Sequence, residues 1–255
     1  MPYDSSHIIR VFSETADAIA ERVSGGVSWV KSGGHKGQHQ GDLDADEVGI
    51  AIITGHGLTV FSEESGYTYP ASCTTEDQEQ VVVVLDPVDG STNASKGIPF
   101  YSVSLCAVVD GKPEIGMIRN LVSGDTYLAQ AGKGSTKNGK SISPSAVREI
   151  SKAVVGINGY PPKHLGWAQY RAFGSAALEL CMVSEGSLDG FIDLSKASLA
   201  SWDVLGGLLI CLESGAAVIC QDGSDYAISD LVERKRIAVA GTRELALELQ
   251  AKAWQ

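Results

Sequence analysis

Five apolar residues, Val81-Val82-Val83-Val84-Leu85, run straight into Asp86-Pro87-Val88-Asp89-Gly90-Ser91-Thr92-Asn93. A β-branched run without polar alternation predicts a strand buried on both faces, its C-terminal end presenting Asp86. Pro87 has a locked φ and restricts the residue before it, so Asp86 and Asp89 are held near one point. Gly90 permits close backbone approach, and Ser91 or Thr92 begins a short helix whose free N–H groups suit an anion. Carboxylates repel one another, so gathering them is costly unless a divalent cation neutralises them. A hard-cation site beside a phosphate pocket suits phosphoryl transfer to water. An isolated Asp-x-x-Asp-Gly is more often a capped turn; the whole octapeptide behind a buried strand is far more specific.

The surrounding chain narrows the classes. It has 255 residues, 44% hydrophobic and 20% charged, enough for one large domain or two packed lobes. A net charge of −11 argues against a nucleic-acid partner held through phosphates, while cations can still mediate phosphate binding to an acidic protein. The apolar stretch 204–220 is interrupted by Gly206, Gly207, Glu213 and Gly215, and Met1–Arg10 is polar, which predicts no membrane partner and a cytoplasmic location. Cys73, Cys106, Cys181, Cys211 and Cys220 form no C-x-x-C pair and read as buried free thiols.

Ile8, Phe12, Ala16, Ile19 and Val23 recur at helical spacing. Residues 32–41 hold four glycines and predict a mobile loop, with His35 and His39 as solvated residues in it; a short helix over Val48–Ile53 leads to a strand near Leu58–Ser62. Ser102–Val109, Glu114–Asn120 and Thr126–Ala131 read as antiparallel strands, with a further hairpin at Asn138-Gly139. Later strands are expected at Ala153–Ile157, Gly190–Asp193, Ala216–Cys220 and Arg236–Ala240. Helices are expected at Ala176–Ser184, at Val204–Glu213 ended by Gly215, and at Glu244–Ala253 capped by Thr242. This alternation predicts an α/β (α+β) layered fold in two lobes, 1–146 with most of the acidic cluster and 147–255 supplying Asp203. Gly132-x-Gly134 precedes a hairpin rather than a helix, so it is no dinucleotide fingerprint, and His164 follows two prolines near a possible substrate entrance.

Two more acidic sites join the octapeptide. Ser62-Glu63-Glu64 closes a predicted strand, and Trp202-Asp203 precedes an apolar helix that ends in Glu213-Ser214-Gly215; alone, Glu63 reads as a solvated turn and Asp203 as an N-cap. Together, and with Arg171-Ala172-Phe173-Gly174-Ser175-Ala176-Ala177, these segments resemble the inositol monophosphatase family of lithium-sensitive, magnesium-dependent phosphatases. The resemblance spans nearly the whole chain and implies an αβαβα sandwich of the inositol monophosphatase and fructose-1,6-bisphosphatase type, often homodimeric. It implies two to three Mg2+ ions, with Mn2+ a substitute. Glu63, Asp86 and the Val88 carbonyl would hold the first, Asp86, Asp89 and Asp203 the second, and Glu63 a weaker third.

By the same resemblance, Gly90 and Ser91 amides cradle the phosphate, and Ser91 orients a metal-activated water for in-line attack, with Glu64 behind it. Asp89, Arg171, Gly174, Ser175, Ala176, Lys196 and Asp203 fall on the substrate side. In the glycine-rich loop, Lys31 and Gly41-Asp42 fit the family pattern, but the next acids fall at Asp44 and Asp46; Asp42 is the choice for a residue near the attacking water. Lys196 stands where inositol-specific members can carry an acid, and suits a second phosphate. The expected reaction is hydrolysis of a small polyol or sugar phosphate, inositol monophosphate first. Fructose 1,6-bisphosphate is the alternative, with histidinol phosphate and 3′-phosphoadenosine 5′-phosphate behind it. A regulatory binding protein that keeps the fold is the non-enzyme alternative, disfavoured by four retained carboxylates.

Overall fold

The computed structural model describes residues 4–34, 38–71, 81–161, 163–224, 226 and 231–254; Cys73, His35 and Pro162 lie outside them. Ile8, Phe12, Ala16 and Ile19 line the buried face of α1 (Ser5–Ser24), as their spacing predicts; Val11 joins them, and Val23 is only partly buried. The next helix, α2 (Gln40–Gly55), is longer than the one expected over Val48–Ile53. It starts directly after a bridge between Lys31 and His39, because the Asp42 carboxylate accepts the His39 N–H at 2.8 Å and puts negative charge in the first turn.

β1 (Thr59–Ser62), β2 (Gly66–Thr68) and β3 (Val81–Asp89) open an eight-stranded sheet, completed by β4 (Ser102–Val109), β5 (Lys112–Asn120), β6 (Thr126–Gln130), β7 (Ser135–Lys137) and β8 (Lys140–Ser141). The spatial order is β2-β1-β3-β4-β5-β6-β7-β8, with only β1 and β3 parallel. β3 does not stop at Asp86 but runs through Pro87 to Asp89. Its register with β4 shifts between Asp86 and Asp89, where a missing proline N–H is tolerated. Val83 and Leu85 pack under α1 and α2, while Val82 and Val84 face the other way with Phe61, Cys106 and Leu205. Burial on both faces is why the run carries no polar alternation.

The second sheet is built from β9 (Val154–Gly159), β10 (Gln169–Arg171), β11 (Gly190–Leu194), β12 (Ala217–Cys220) and β13 (Ile237–Ala240), in the order β10-β9-β11-β13-β12. Between the sheets lie α4 (Ala176–Ser184) and α5 (Ser201–Ser214), and α6 (Arg243–Ala253) covers the outer face of the smaller sheet. A short α3 (Ser91–Lys96) follows β3. The layers therefore run α1/α2, large sheet, α4/α5, small sheet, α6, the αβαβα sandwich expected.

α5 approaches the large sheet closely: a Cβ on Gly206 would stand 2.9 Å from the Leu105 carbonyl, and one on Gly116 2.7 Å from the Gly206 carbonyl. That contact sets the depth at which the start of α5 meets the end of β3. Cys106, Cys181, Cys211 and Cys220 are buried free thiols. Among the described residues, no helix is long and apolar enough to cross a membrane.

Candidate active site

Asp86, Asp89 and Asp203 each offer a carboxylate oxygen within 4.8 Å of the others. Two come from the end of β3. The third stands in the first turn of α5, not at its N-cap: Ala200 is the cap residue, and its N–H is accepted by Asp203 Oδ2 at 2.6 Å. Ser104 on β4, the register partner of Asp86, donates to the Trp202 carbonyl at 3.0 Å and ties that first turn to the sheet.

Asp89 is gripped by the start of α4. Its Oδ2 accepts from Ser175 Oγ at 2.6 Å and Ala177 N at 2.7 Å, and its Oδ1 from Ala176 N at 3.3 Å. Free amides at a helix N-terminus suit a carboxylate as they suit a phosphate. Gly90 makes the junction possible: its φ is +94°, and a Cβ there would stand 3.0 Å from the Gly174 carbonyl. Asp86 is steadied from within, its Oδ1 accepting from Val88 N at 3.0 Å.

Burial, then the mutual repulsion of the acids, decides the electrostatics. Burial and the charges of Asp203, Glu64, Asp89 and Asp42 push Glu63 up to about 9. Burial and Asp203 push Asp89 up to about 7 against the pull of its Ser175, Ala177 and Ala176 bonds. Asp86 is driven well above the carboxylate range by burial, then by Glu63, Asp89 and Asp203. Asp203 rises to about 6 by burial, held back by the Ala200 N–H and the Arg234 charge. Such a group of buried acids is stabilised by a hard divalent cation, and its all-oxygen donors suit one. Asp42 adds a buried Oδ1 with no hydrogen-bond partner among the described residues.

Glu63 stands directly after β1, its N–H bonded to the Leu85 carbonyl at 3.1 Å, so parallel pairing of β1 with β3 brings it to the same sheet edge. Glu64 accepts from Gln38 Nε2, and Asp42 feels the Glu64 charge. Ser91 opens α3 after Gly90. Ser175 and Ala176 meet Asp89, as above. Two residues expected on the substrate side are exposed: Arg171 donates to the Tyr170 carbonyl and Gln169 Oε1, and Lys196 sits in a loop braced by Asp193, which accepts from Ser195 N and Leu199 N.

The sequence alone passed over Arg234 and undervalued Asp46. The Arg234 guanidinium lies 5.5 Å from the Trp202 ring centre and donates to the Ser198 carbonyl at 2.9 Å, yet Glu233-Arg234-Lys235-Arg236 reads as a solvated charge run. Asp46 is buried and accepts from the Ser62 and Ser65 hydroxyls, one turn after Asp42 on α2. The only signal for it is the i, i+4 spacing of the two acids.

Stacked helix and sheet layers that bring strand-borne Asp86 and Asp89 together with helix-borne Asp203 fit the metal-dependent phosphatases of the sandwich type. The inositol monophosphatase family model matches residues 51–255, and the chain belongs to that family. It is 34% identical over 209 residues to a fructose-1,6-bisphosphatase/inositol-1-monophosphatase of Archaeoglobus fulgidus, covering 79% of this chain and 78% of that one. It is 31% identical over 236 residues to a bifunctional NADP phosphatase/NAD kinase of Methanococcus maripaludis, covering 80% of this chain and 40% of that protein. A solved Pyrococcus horikoshii protein, described as similar to inositol-1 monophosphatase, superimposes with a TM-score of 0.84 at 25% identity over 98% of this chain and 99% of that one.

Proposed function

We propose that this protein is a Mg2+-dependent phosphomonoesterase acting on a small polyol or sugar phosphate, with inositol monophosphate as the representative substrate. The observation that carries it is the meeting of buried Asp86 and Asp89 with half-buried Asp203, with Glu63 in the same electrostatic group. Glu63, Asp86 and the Val88 carbonyl would hold one ion, Asp86, Asp89 and Asp203 a second, and Glu63 a weaker third; Mn2+ would substitute. When bound, such ions neutralise phosphoryl charge and provide hydroxide near neutral pH. The Gly90 and Ser91 amides bind the phosphate, and the Ser91 hydroxyl orients the attacking water. Glu64 and Asp42, the latter with an unengaged buried oxygen, stand on the side from which that water's proton is managed. Ser175 and Ala176 hold Asp89 and line the substrate side with it and Gly174, while Arg171 and Lys196 contribute positive charge to the substrate.

A sugar bisphosphate such as fructose 1,6-bisphosphate is the second reading. It is supported by Arg234, whose charge acts on Asp203, by Lys196 in the loop before it, and by the activity named for the A. fulgidus relative. A cytoplasmic homodimer is the form expected. The deciding experiment is phosphate release, with Mg2+, from inositol 1-phosphate, fructose 1,6-bisphosphate, NADP, histidinol phosphate and 3′-phosphoadenosine 5′-phosphate. Turnover of the first two above the rest is expected; no release from any of them with Mg2+ or Mn2+ would overturn the proposal.

A further inference from the structure

On the outer side of the small sheet, a cavity of about 350 Å3 is lined by Tyr160, Trp167 and Tyr170 together with Lys163 and His164. A second hollow of about 310 Å3 shares Lys163 and His164 and adds Lys252. Neither is lined by an acid among the described residues, although the chain carries a net charge of −11. The pair takes no part in the chemistry above. Ile157 and Trp167 line the first hollow from the core that Leu245 and Leu249 of α6 complete, whereas Asp89 and Asp203 meet at the end of β3 and the start of α5.

Trp167 is 2% exposed, yet its Nε1 has no hydrogen-bond partner among the described residues. An indole nitrogen can only donate, so burying it without an acceptor is costly unless a ligand supplies one. The Trp167 ring meets His164 edge-on and Tyr170 at a tilt, each with 5.6 Å between ring centres. Tyr160 is 87% exposed and Tyr170 52%, and aromatic rings left open to solvent around a hollow are platforms on which a flat ring stacks. The cationic end is equally defined. His164 Nδ1 accepts from Gly166 N at 3.1 Å, which leaves Nε2 as a donor. Lys163 is exposed and makes no ion pair among the described residues, while Lys252 is shared with Glu248 at 3.1 Å.

We propose that the two hollows form one binding site for a nucleoside monophosphate. The base lies among Tyr160, Trp167 and Tyr170, an acceptor atom of the base takes the Trp167 N–H, and the phosphate meets Lys163, His164 and Lys252. The larger hollow falls within the range of about 300–1,000 Å3 usual for small-molecule sites. The donors fix the class: a sugar phosphate offers the tyrosines no flat ring, and an uncharged base leaves the lysines without a counter-charge. The site requires no metal ion and does not depend on the carboxylate cluster.

The test is calorimetric titration with GMP in the presence of a chelator, on wild type, Tyr160→Ala, Lys163→Glu, Trp167→Phe and Asp89→Asn. Wild type is expected to bind GMP, with guanosine and ribose 5-phosphate each at least about tenfold weaker, since each engages one hollow alone. Tyr160→Ala should weaken GMP about fivefold or more, the low end for removing a stacking ring. Lys163→Glu should weaken it about tenfold or more. Both side chains are exposed, so neither change threatens the fold. Trp167→Phe keeps a buried ring and deletes the donor, and is expected to bind GMP more weakly than wild type. Asp89→Asn is expected to bind it as wild type does. The proposal is overturned if wild type binds no GMP, if none of the three pocket variants weakens it, or if guanosine or ribose 5-phosphate binds equally well. It is overturned as well if binding needs Mg2+ or is lost in Asp89→Asn, which would put the nucleotide in the acidic cleft instead.

Discussion

Asp89 illustrates how one side chain acquires its role from neighbours that are remote in sequence. A carboxylate in a turn after a strand would be solvated; here Ser175, Ala176 and Ala177, more than eighty residues away, take both its oxygens. Those bonds orient it and offset part of the cost of its burial. Asp89→Asn should keep the fold yet lose most turnover, because an amide weakens the negative site it shares with Asp86 and Asp203; near-normal kcat would contradict the assignment. Ser175→Ala removes a single bond to Asp89. Its expected effect is roughly a 10- to 100-fold rise in the Mg2+ concentration needed for half-maximal rate, with saturating kcat changed less.

At the scale of elements, the site depends on how closely α5 lies on the large sheet. Gly206 and Gly116 pass backbone against backbone, and any side chain at Gly206 would meet the Leu105 carbonyl. Gly206→Val should therefore lower stability by about 1–3 kcal/mol through overpacking, measured by urea unfolding. It should also lower activity in the remaining folded protein by lifting Asp203 from its partners. β3 is the other indispensable element. Leu85 is fully buried beneath α1 and α2, and Leu85→Ala should cost about 2–5 kcal/mol in the same assay through the cavity it leaves.

For the whole molecule, the acidic cluster links stability to pH. In chelator-treated protein, Asp89 rises from its ordinary 3.8 to about 7, Asp203 from 3.8 to about 6, and Glu63 from 4.5 to about 9. The folded state therefore keeps protons that the unfolded chain has already released. Stability falls as pH climbs through the window between the ordinary and raised values, from about 4 to about 9. Melting of the chelated protein should show Tm dropping from pH 5 to pH 9, and Asp89→Asn should flatten that slope. Added Mg2+ should raise Tm more at pH 8.5 than at pH 5.5, since binding requires the deprotonated acids. A slope of opposite sign would show that the carboxylates are not buried together.

Much was legible in the one-dimensional chain because it is encoded locally. The helical spacing from Ile8 to Ile19, the unbroken apolar run of β3, the Thr242 cap, which accepts from Leu245 N, and the Gly215 stop each depend on a few neighbours. Three-residue edge strands such as β2 and β10 are too short to carry periodicity, and the first two turns of α2 are hidden because glycine and polar residues around them carry no apolar spacing. The carboxylates could be nominated from their motifs, but their grouping could not be read from spacing alone. Asp203 reaches Asp86 only because two glycines let α5 settle on the sheet, and Asp89 is held only because α4 begins against it. Arg234 was silent in the sequence for the same reason: an isolated charge acquires meaning from what the folded chain places opposite it. The sequence by itself therefore determined the elements and the acids available for chemistry. Only the tertiary structure decided which of those acids share one desolvated space, since repulsion and burial act through distance and not along the chain.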